Sequence, residues 1–219
     1  MTVAVTLERP WLCFDLGREV QVLSWAINRP GFVMANRILW REVRNADLPR
    51  DMDVHRWLKD TLAERGDCDA VCFLTSRDVD FYTQAKATTE GETAQCVATV
   101  GLLNAERVGA RVDRSQMDWG TINIAVSLQN GLSQTGLIEA MTIAAQARTA
   151  AIMDIGLGLP TGIATGTGTD CIAIAAPIGT SDYAGLHTAI GEVVGNAVYD
   201  ATLRGAKEWM ETVKDKLGL

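Results

Sequence analysis

The sequence predicts an α/β fold, with one layered domain whose mixed β-sheet core is packed by long helices. Three observations point there. Short apolar runs alternate with helical periods along the whole chain, as in layered α/β domains. The strand-like runs 11–16 and 20–24 are separated only by Gly17-Arg18-Glu19, which reads as a hairpin and argues against an all-parallel sheet. No linker, repeat or low-complexity stretch divides the 219 residues, so a single domain over 1–219 is expected.

Each element follows from local pattern. After the hairpin, 33–43 reads as a strand and 45–50, with Pro49, as a loop. A helix is expected over 51–65, because Asp51 or Asp53 can cap it, Gly66 can end it, and Val54, Trp57, Leu58 and Leu62 share a face. His55 lies in this charged helix and is read as solvated. Val71 to Leu74 is a short buried strand. The stretch 79–87 is read as a helix, and 87–92 as a polar loop of the kind that serves as a lid. Strands follow over 95–100 and 122–128. Ser133 then opens a long helix as N-cap, with Leu132 and Leu137 as a hydrophobic staple, and Gly156 and Gly158 stop it near Ile155. The last strand is 171–176, and a final helix runs from near Tyr183 toward Lys216, with a break near Gly205. Within it, Gly191 and Gly195 let another element approach closely.

Bulk properties exclude several function classes. The net charge of −7 argues against nucleic acid and against an anionic membrane surface. The longest apolar run is too short to span a bilayer, and residues 1–10 carry no apolar core of a signal peptide, so a cytoplasmic protein is expected. There are five cysteines and no C-x-x-C pair. Cys13, Cys72, Cys96 and Cys171 read as small hydrophobes, and Cys68 lies near a turn. No spacing suits zinc, so no metal site and no protein-held cofactor are expected. The tryptophans at 11, 25, 40 and 57 are read as core, with stacking on a flat ligand as the other use.

The chemistry concentrates in 165–177, where a Thr–Gly repeat carries Asp170 into an apolar strand. Glycine lets backbone N–H groups approach a ligand, so Gly166, Thr167, Gly168 and Thr169 are candidate binding residues. Tight-turn capping by Asp170 is the plainer reading. Asn104 and Asn123 follow strand or turn elements, and each offers an amide donor and acceptor. Arg148 falls within about 20° of the apolar face marked by Leu137, Met141 and Ile155. A guanidinium there must be paired or line a polar cavity, and both a structural ion pair and a site-facing cation, against Asp170, stay open. His187 suits proton delivery to a leaving amine. Glu192 belongs to a polar stripe with Thr188, Asn196 and Tyr199. Ser24, Thr75 and Ser76 lie in no G-x-S-x-G elbow, so a covalent mechanism is not supported.

Four segments in order, Gly101–Gly109, Gly120–Val126, Thr165–Pro177 and Tyr183–Glu192, together with Ala147-Arg148, resemble the adenosylcobinamide amidohydrolase family. The resemblance runs from about Val22 to Trp209. It implies hydrolysis of the amide that joins the aminopropanol arm to adenosylcobinamide, giving adenosylcobyric acid in corrinoid salvage. The partner it implies is a corrinoid, whose cobalt belongs to the substrate, and a homo-oligomer is left open. On this reading Asp170 is the base or water-orienting group. The N–H groups of 166–169, with Asn123 or Arg148, hold the oxyanion. His187 and Glu192 complete the catalytic set. Family members usually carry a Glu two residues before the Lys or Arg, where this chain has Gln146. That departure motivates the alternative of a corrinoid-binding protein without hydrolysis. A nucleotide-binding domain is a weak third reading, because the Gly-rich loop precedes a strand and not a helix.

Overall fold

The computed structural model describes residues 3–44, 47–49, 51–113 and 120–214. Parts of the expected 45–50 loop, and the final helix beyond residue 214, lie outside them. An eight-stranded mixed sheet organises the chain. Its strands are β1 (Ala4–Glu8), β2 (Trp11–Ser24), β3 (Gly31–Glu42), β4 (Val71–Thr75), β5 (Thr83–Thr89), β6 (Glu92–Val100), β8 (Ile122–Leu128) and β12 (Cys171–Ala176). The short pieces β7 (Ala105–Glu106) and β11 (Gly166–Thr167) pair with each other, as do β9 (Gly158–Leu159) and β10 (Gly162–Ile163). The helices are α1 (Val54–Arg65), α2 (Gln134–Ile155) and α3 (Ala189–Trp209). The sheet order is β4-β3-β2-β12-β8-β6-β5, with β1 on the first half of β2. β12 is parallel to β8 and β4 to β3, while the other pairs are antiparallel. The expected mixed sheet packed by long helices is what forms.

Strand alternation builds two cores. Cys96, Val100, Ile122, Ile124, Val126, Ile172 and Ile174 face α2 and α3. The alternate residues Val97, Ala125, Ala173 and Ala175 share a second core with Leu12, Phe14, Ile38, Trp40, Val71 and Phe73. Val71 and Phe73 belong to the edge strand furthest from β6, so the sheet curls back over its own face. Asn123 fixes that curl, because its Nδ2 donates to the carbonyl of Leu74 in β4 at 2.8 Å. On the outer side, Leu58 and Leu62 of α1 pack with Trp11, Leu39 and Cys72. Among the described residues no helix is long and apolar enough to cross a membrane.

Four elements differ from the sequence expectation. Residues 11–24 form one long strand, not a hairpin. The register slips between Asp15 and Val20, and Gly17 takes φ +71° with its N–H on Asp15 Oδ1. The three central residues therefore make a bulge that bends β2. The expected helix over 79–87 is a single 3-10 turn, Val79–Phe81, followed by β5. Pairing with β6 and packing of Ala85 and Ala87 on the core override helix propensity there. The expected lid at 87–92 is a tight hairpin, with Glu90 and Gly91 both at positive φ as a type I′ turn requires. α3 starts at Ala189 and not near Tyr183, because the Thr188 hydroxyl caps it by accepting from Gly191 N. It continues through Gly205 without a break.

The two glycines read as a close-approach pair separate in role. A Cβ on Gly191 would sit 2.1 Å from the carbonyl oxygen of Gly185, whereas one on Gly195 would meet only Ile143 Cγ2 at 3.7 Å. Gly191→Ala is expected to destabilise by about 1–3 kcal/mol through overpacking. Gly195→Ala is expected to be neutral or to stabilise by up to about 1 kcal/mol through helix propensity. Urea unfolding midpoints of the two variants check this contrast.

Candidate active site

Asp170 stands at the start of β12, where its carboxylate ties three elements together. The backbone N–H of Thr167 reaches both carboxylate oxygens at 3.1 Å. The Thr167 hydroxyl donates to Oδ1, and Ile122 N of β8 donates to the same oxygen at 3.3 Å. Arg148 of α2 pairs with Oδ2. Both side chains are largely buried, at 8% exposure for Asp170 and 17% for Arg148. Burial pulls the Arg148 guanidinium below its ordinary pKa, and its Nε has no hydrogen-bond partner. The carboxylate is therefore what makes a charge tolerable on the apolar face of α2. Arg148 therefore pairs with the carboxylate named in its site-facing reading, and it is not among the described residues that line the cleft below.

A carboxylate offers about four acceptor positions. Asp170 fills its own with Thr167, Ile122 and Arg148, which leaves it a holder of the loop and no poised base. Gly166 belongs to the same knot. A Cβ there would fall 2.5 Å from both Arg148 Nη1 and Asp170 Oδ2, so only glycine lets the loop lie on the pair.

The two asparagines are engaged within the fold. Asn104 accepts from Gly120 N at 3.2 Å and donates to Thr169 Oγ1 at 3.2 Å, and its carbonyl takes Gly168 N at 3.4 Å. Thr169 returns a hydroxyl bond to the Gly120 carbonyl at 3.0 Å, and Thr121 Oγ1 donates to the Thr169 carbonyl at 2.8 Å. Asn123 is 1% exposed and bridges to β4, which removes it from ligand contact. The expected use of the 166–169 N–H groups as an oxyanion hole meets the same obstacle, since Thr167 N and Gly168 N already have acceptors.

Against this knot lies a cleft of about 550 Å³, lined by Asn104, Glu106, Arg107, Gly109, Ala110, Arg111, Val112, Gly168 and Thr169. Asn104, Gly168 and Thr169 were expected at a site. Glu106, Arg107 and Arg111 were not. Glu106 is the one carboxylate among these lining residues, and its Cγ lies 3.9 Å from where a Gly168 Cβ would be. Asn104 Nδ2 lies at the same 3.9 Å from that point, so the two side chains face the loop together; Asn104 sits in a turn, so strand alternation in the sequence did not announce the pair. Arg107 is steadied by donating to the Ile163 carbonyl at 3.1 Å. Burial pushes the nearby Cys171 thiol up to about 12, so it is protonated at neutral pH and is no nucleophile.

His187 and Glu192 do not join this cluster. His187 is exposed in the turn before α3. Glu192 Oε1 accepts from Thr89 at the hairpin end of β5, whereas Asp170 meets Ile122 beside Val100, at the opposite end of β6. Nine residues of β6 separate those ends by about 25 Å. His187 precedes α3, so helix spacing says nothing of its direction, and spacing carried no information about which end of the sheet the two residues occupy. Gln146 is exposed on α2, on the side away from Arg148. Among the described residues no group of three or more His, Cys, Asp or Glu side chains is gathered to hold a metal ion.

The buried pair makes a sharp prediction. Arg148→Met is expected to destabilise by about 3–5 kcal/mol, because it strands the carboxylate. The double variant Arg148→Met/Asp170→Asn is expected to lose less than the sum of the two single variants. Denaturant unfolding of the set forms the double-mutant cycle that measures this coupling.

Among solved structures the chain is similar to the PH0078 protein from Pyrococcus horikoshii OT3, at 10% identity, over 89% of this chain and 76% of that one, with a TM-score of 0.46. No curated protein matches. A model of the family described as adenosylcobinamide amidohydrolase matches residues 2–214, nearly the whole chain. The chain therefore belongs to the adenosylcobinamide amidohydrolase family.

Proposed function

We propose that this protein hydrolyses the aminopropanol amide of adenosylcobinamide, releasing adenosylcobyric acid and aminopropanol, in the cleft beside the 166–170 loop. The observation that supports this reading is that two family-like segments line one cleft, in which Glu106 is the one carboxylate among the described lining residues, while a third segment is hydrogen-bonded to them from behind. The segments are 101–109, 120–126 and 165–177. No protein-held cofactor enters the proposal, and the cobalt is part of the substrate.

Amide hydrolysis needs an activated water, a cation or donor for the oxyanion, and a proton for the leaving amine. Glu106 is assigned the first and third tasks. It takes a proton from the attacking water as the water oxygen bonds to the amide carbon. It returns that proton to the amine nitrogen as the carbon–nitrogen bond breaks. Arg107 and Arg111 supply positive charge along the cleft for the oxygen that becomes anionic. Asp170 and Arg148 hold the 166–170 loop in place, with Asn104 pinning it to Gly120. This assignment moves the base from Asp170 to Glu106 and leaves His187 and Glu192 outside the step. The non-hydrolysing alternative rested on Gln146, which is exposed on α2 and is not among the described residues that line the cleft.

Incubation with adenosylcobinamide, followed by mass spectrometry for the two products, tests the activity. Glu106→Gln, which keeps the side chain's shape, is expected to lower kcat by about 10²–10⁴-fold while costing less unfolding free energy than Asp170→Asn. Asp170→Asn is expected to lose stability and turnover together, and His187→Ala to keep full turnover. Unimpaired Glu106→Gln would remove the base assignment, and corrinoid binding without either product would favour the binding protein.

A further inference from the structure

Trp25 sits immediately after β2 and is anchored at the start of β12. Its indole Nε1–H donates to the backbone carbonyl of Asp170 at 2.8 Å. Its backbone meets the thiol of Cys171. Trp11, Trp40 and Trp209 are buried, as the core reading of the tryptophans expects, and Trp57 is half-buried. Trp25 is the exception among the described tryptophans, with 49% of its surface exposed. The polar edge of the ring is satisfied and held, so the large apolar face is presented to solvent in a fixed place. The cleft that borders Thr169 also carries an exposed apolar side chain, Val112 at 40%, and Val108, next in sequence to the lining Arg107 and Gly109, is 80% exposed. A tryptophan left open beside a polar cleft, with its N–H pinned to the loop that builds that cleft, has the form of a stacking platform.

We propose that Trp25 is a substrate-binding residue that stacks on the corrin macrocycle and so directs the amide-bearing arm over the 168–170 loop into the cleft. The inference rests on the corrinoid reading above and adds a recognition residue to it. Its role is in binding and not in bond breaking, because an indole whose N–H is already donated to the Asp170 carbonyl has no acid or base group to offer. The indole also tethers the platform to the loop, so the distance from macrocycle to cleft is set by one hydrogen bond.

Steady-state kinetics with Trp25→Leu, Trp25→Phe and the parent protein test this, using adenosylcobinamide and cobinamide lacking the adenosyl group. Trp25→Leu is expected to raise KM about tenfold or more for both corrinoids while kcat changes little. Trp25→Phe, which keeps a ring but loses the hydrogen bond, is expected to fall between the two. Quenching of tryptophan fluorescence by bound corrinoid is expected to shrink in both variants. Parent-like KM and quenching in Trp25→Leu would overturn the inference and leave the hydrolase reading intact. A KM effect confined to the adenosylated substrate would put the adenine and not the macrocycle on Trp25, and would overturn it as stated. A parent protein that neither binds nor turns over either corrinoid would remove the hydrolase reading, and this inference with it.

Discussion

The carboxylate of Asp170 is the point on which the site end of the molecule depends. It gathers an arginine from α2, the first backbone N–H of β8, and both the N–H and the hydroxyl of Thr167. No other arrangement readily tolerates Arg148 where the helix period puts it, on a face otherwise turned to the apolar core. The glycine-rich loop is folded around this pair, and Gly166 is small because the pair leaves no room. Helix, central strand and loop are therefore positioned by one polar contact. The loop's side of the cleft, Gly168 and Thr169, is held in place by that contact.

Two consequences follow for chemistry. A carboxylate with every lone pair engaged is a scaffold, so the carboxylate proposed for the chemistry is the one that lines the cleft, Glu106. The loop that looked like a phosphate- or oxyanion-binding turn directs its N–H groups inward, to Asp170 and to the carbonyl of Asn104. Positive charge for a developing oxyanion then comes from side chains along the cleft. Ile178, Tyr183 and Leu186, in the segment that leads from β12 to α3 and contains His187, are exposed, away from this chemistry.

Much of this was legible in the sequence where a local rule decides the outcome. Ser133 caps α2, Gly156 ends it, and Asp53 and Gly66 bound α1, each through a backbone group that a single side chain or a positive φ satisfies. The placement of Arg148 on the core face, and its need for a partner, also followed from period alone. The β2 bulge was misread because Gly-Arg-Glu makes either a turn or a kink, and only pairing with β3 on both sides decides. β5 was misread because Ala, Gln and Lys favour helices, while its fate is set by β6. Asn123 was read as a ligand group because sequence cannot show that the sheet curls until β4 covers it. The ends of the sheet to which Asp170, His187 and Glu192 belong are likewise a property of topology, not of spacing.

The central claim is that the amide is cleaved in the cleft formed by Glu106, Arg107 and the 168–170 loop. A crystal structure of the Glu106→Gln protein soaked with adenosylcobinamide tests it most directly. The account predicts the aminopropanol amide within hydrogen-bond reach of residue 106, with the macrocycle outside the loop. Density for the corrinoid at the turn around His187, with the cleft left to solvent, would contradict it.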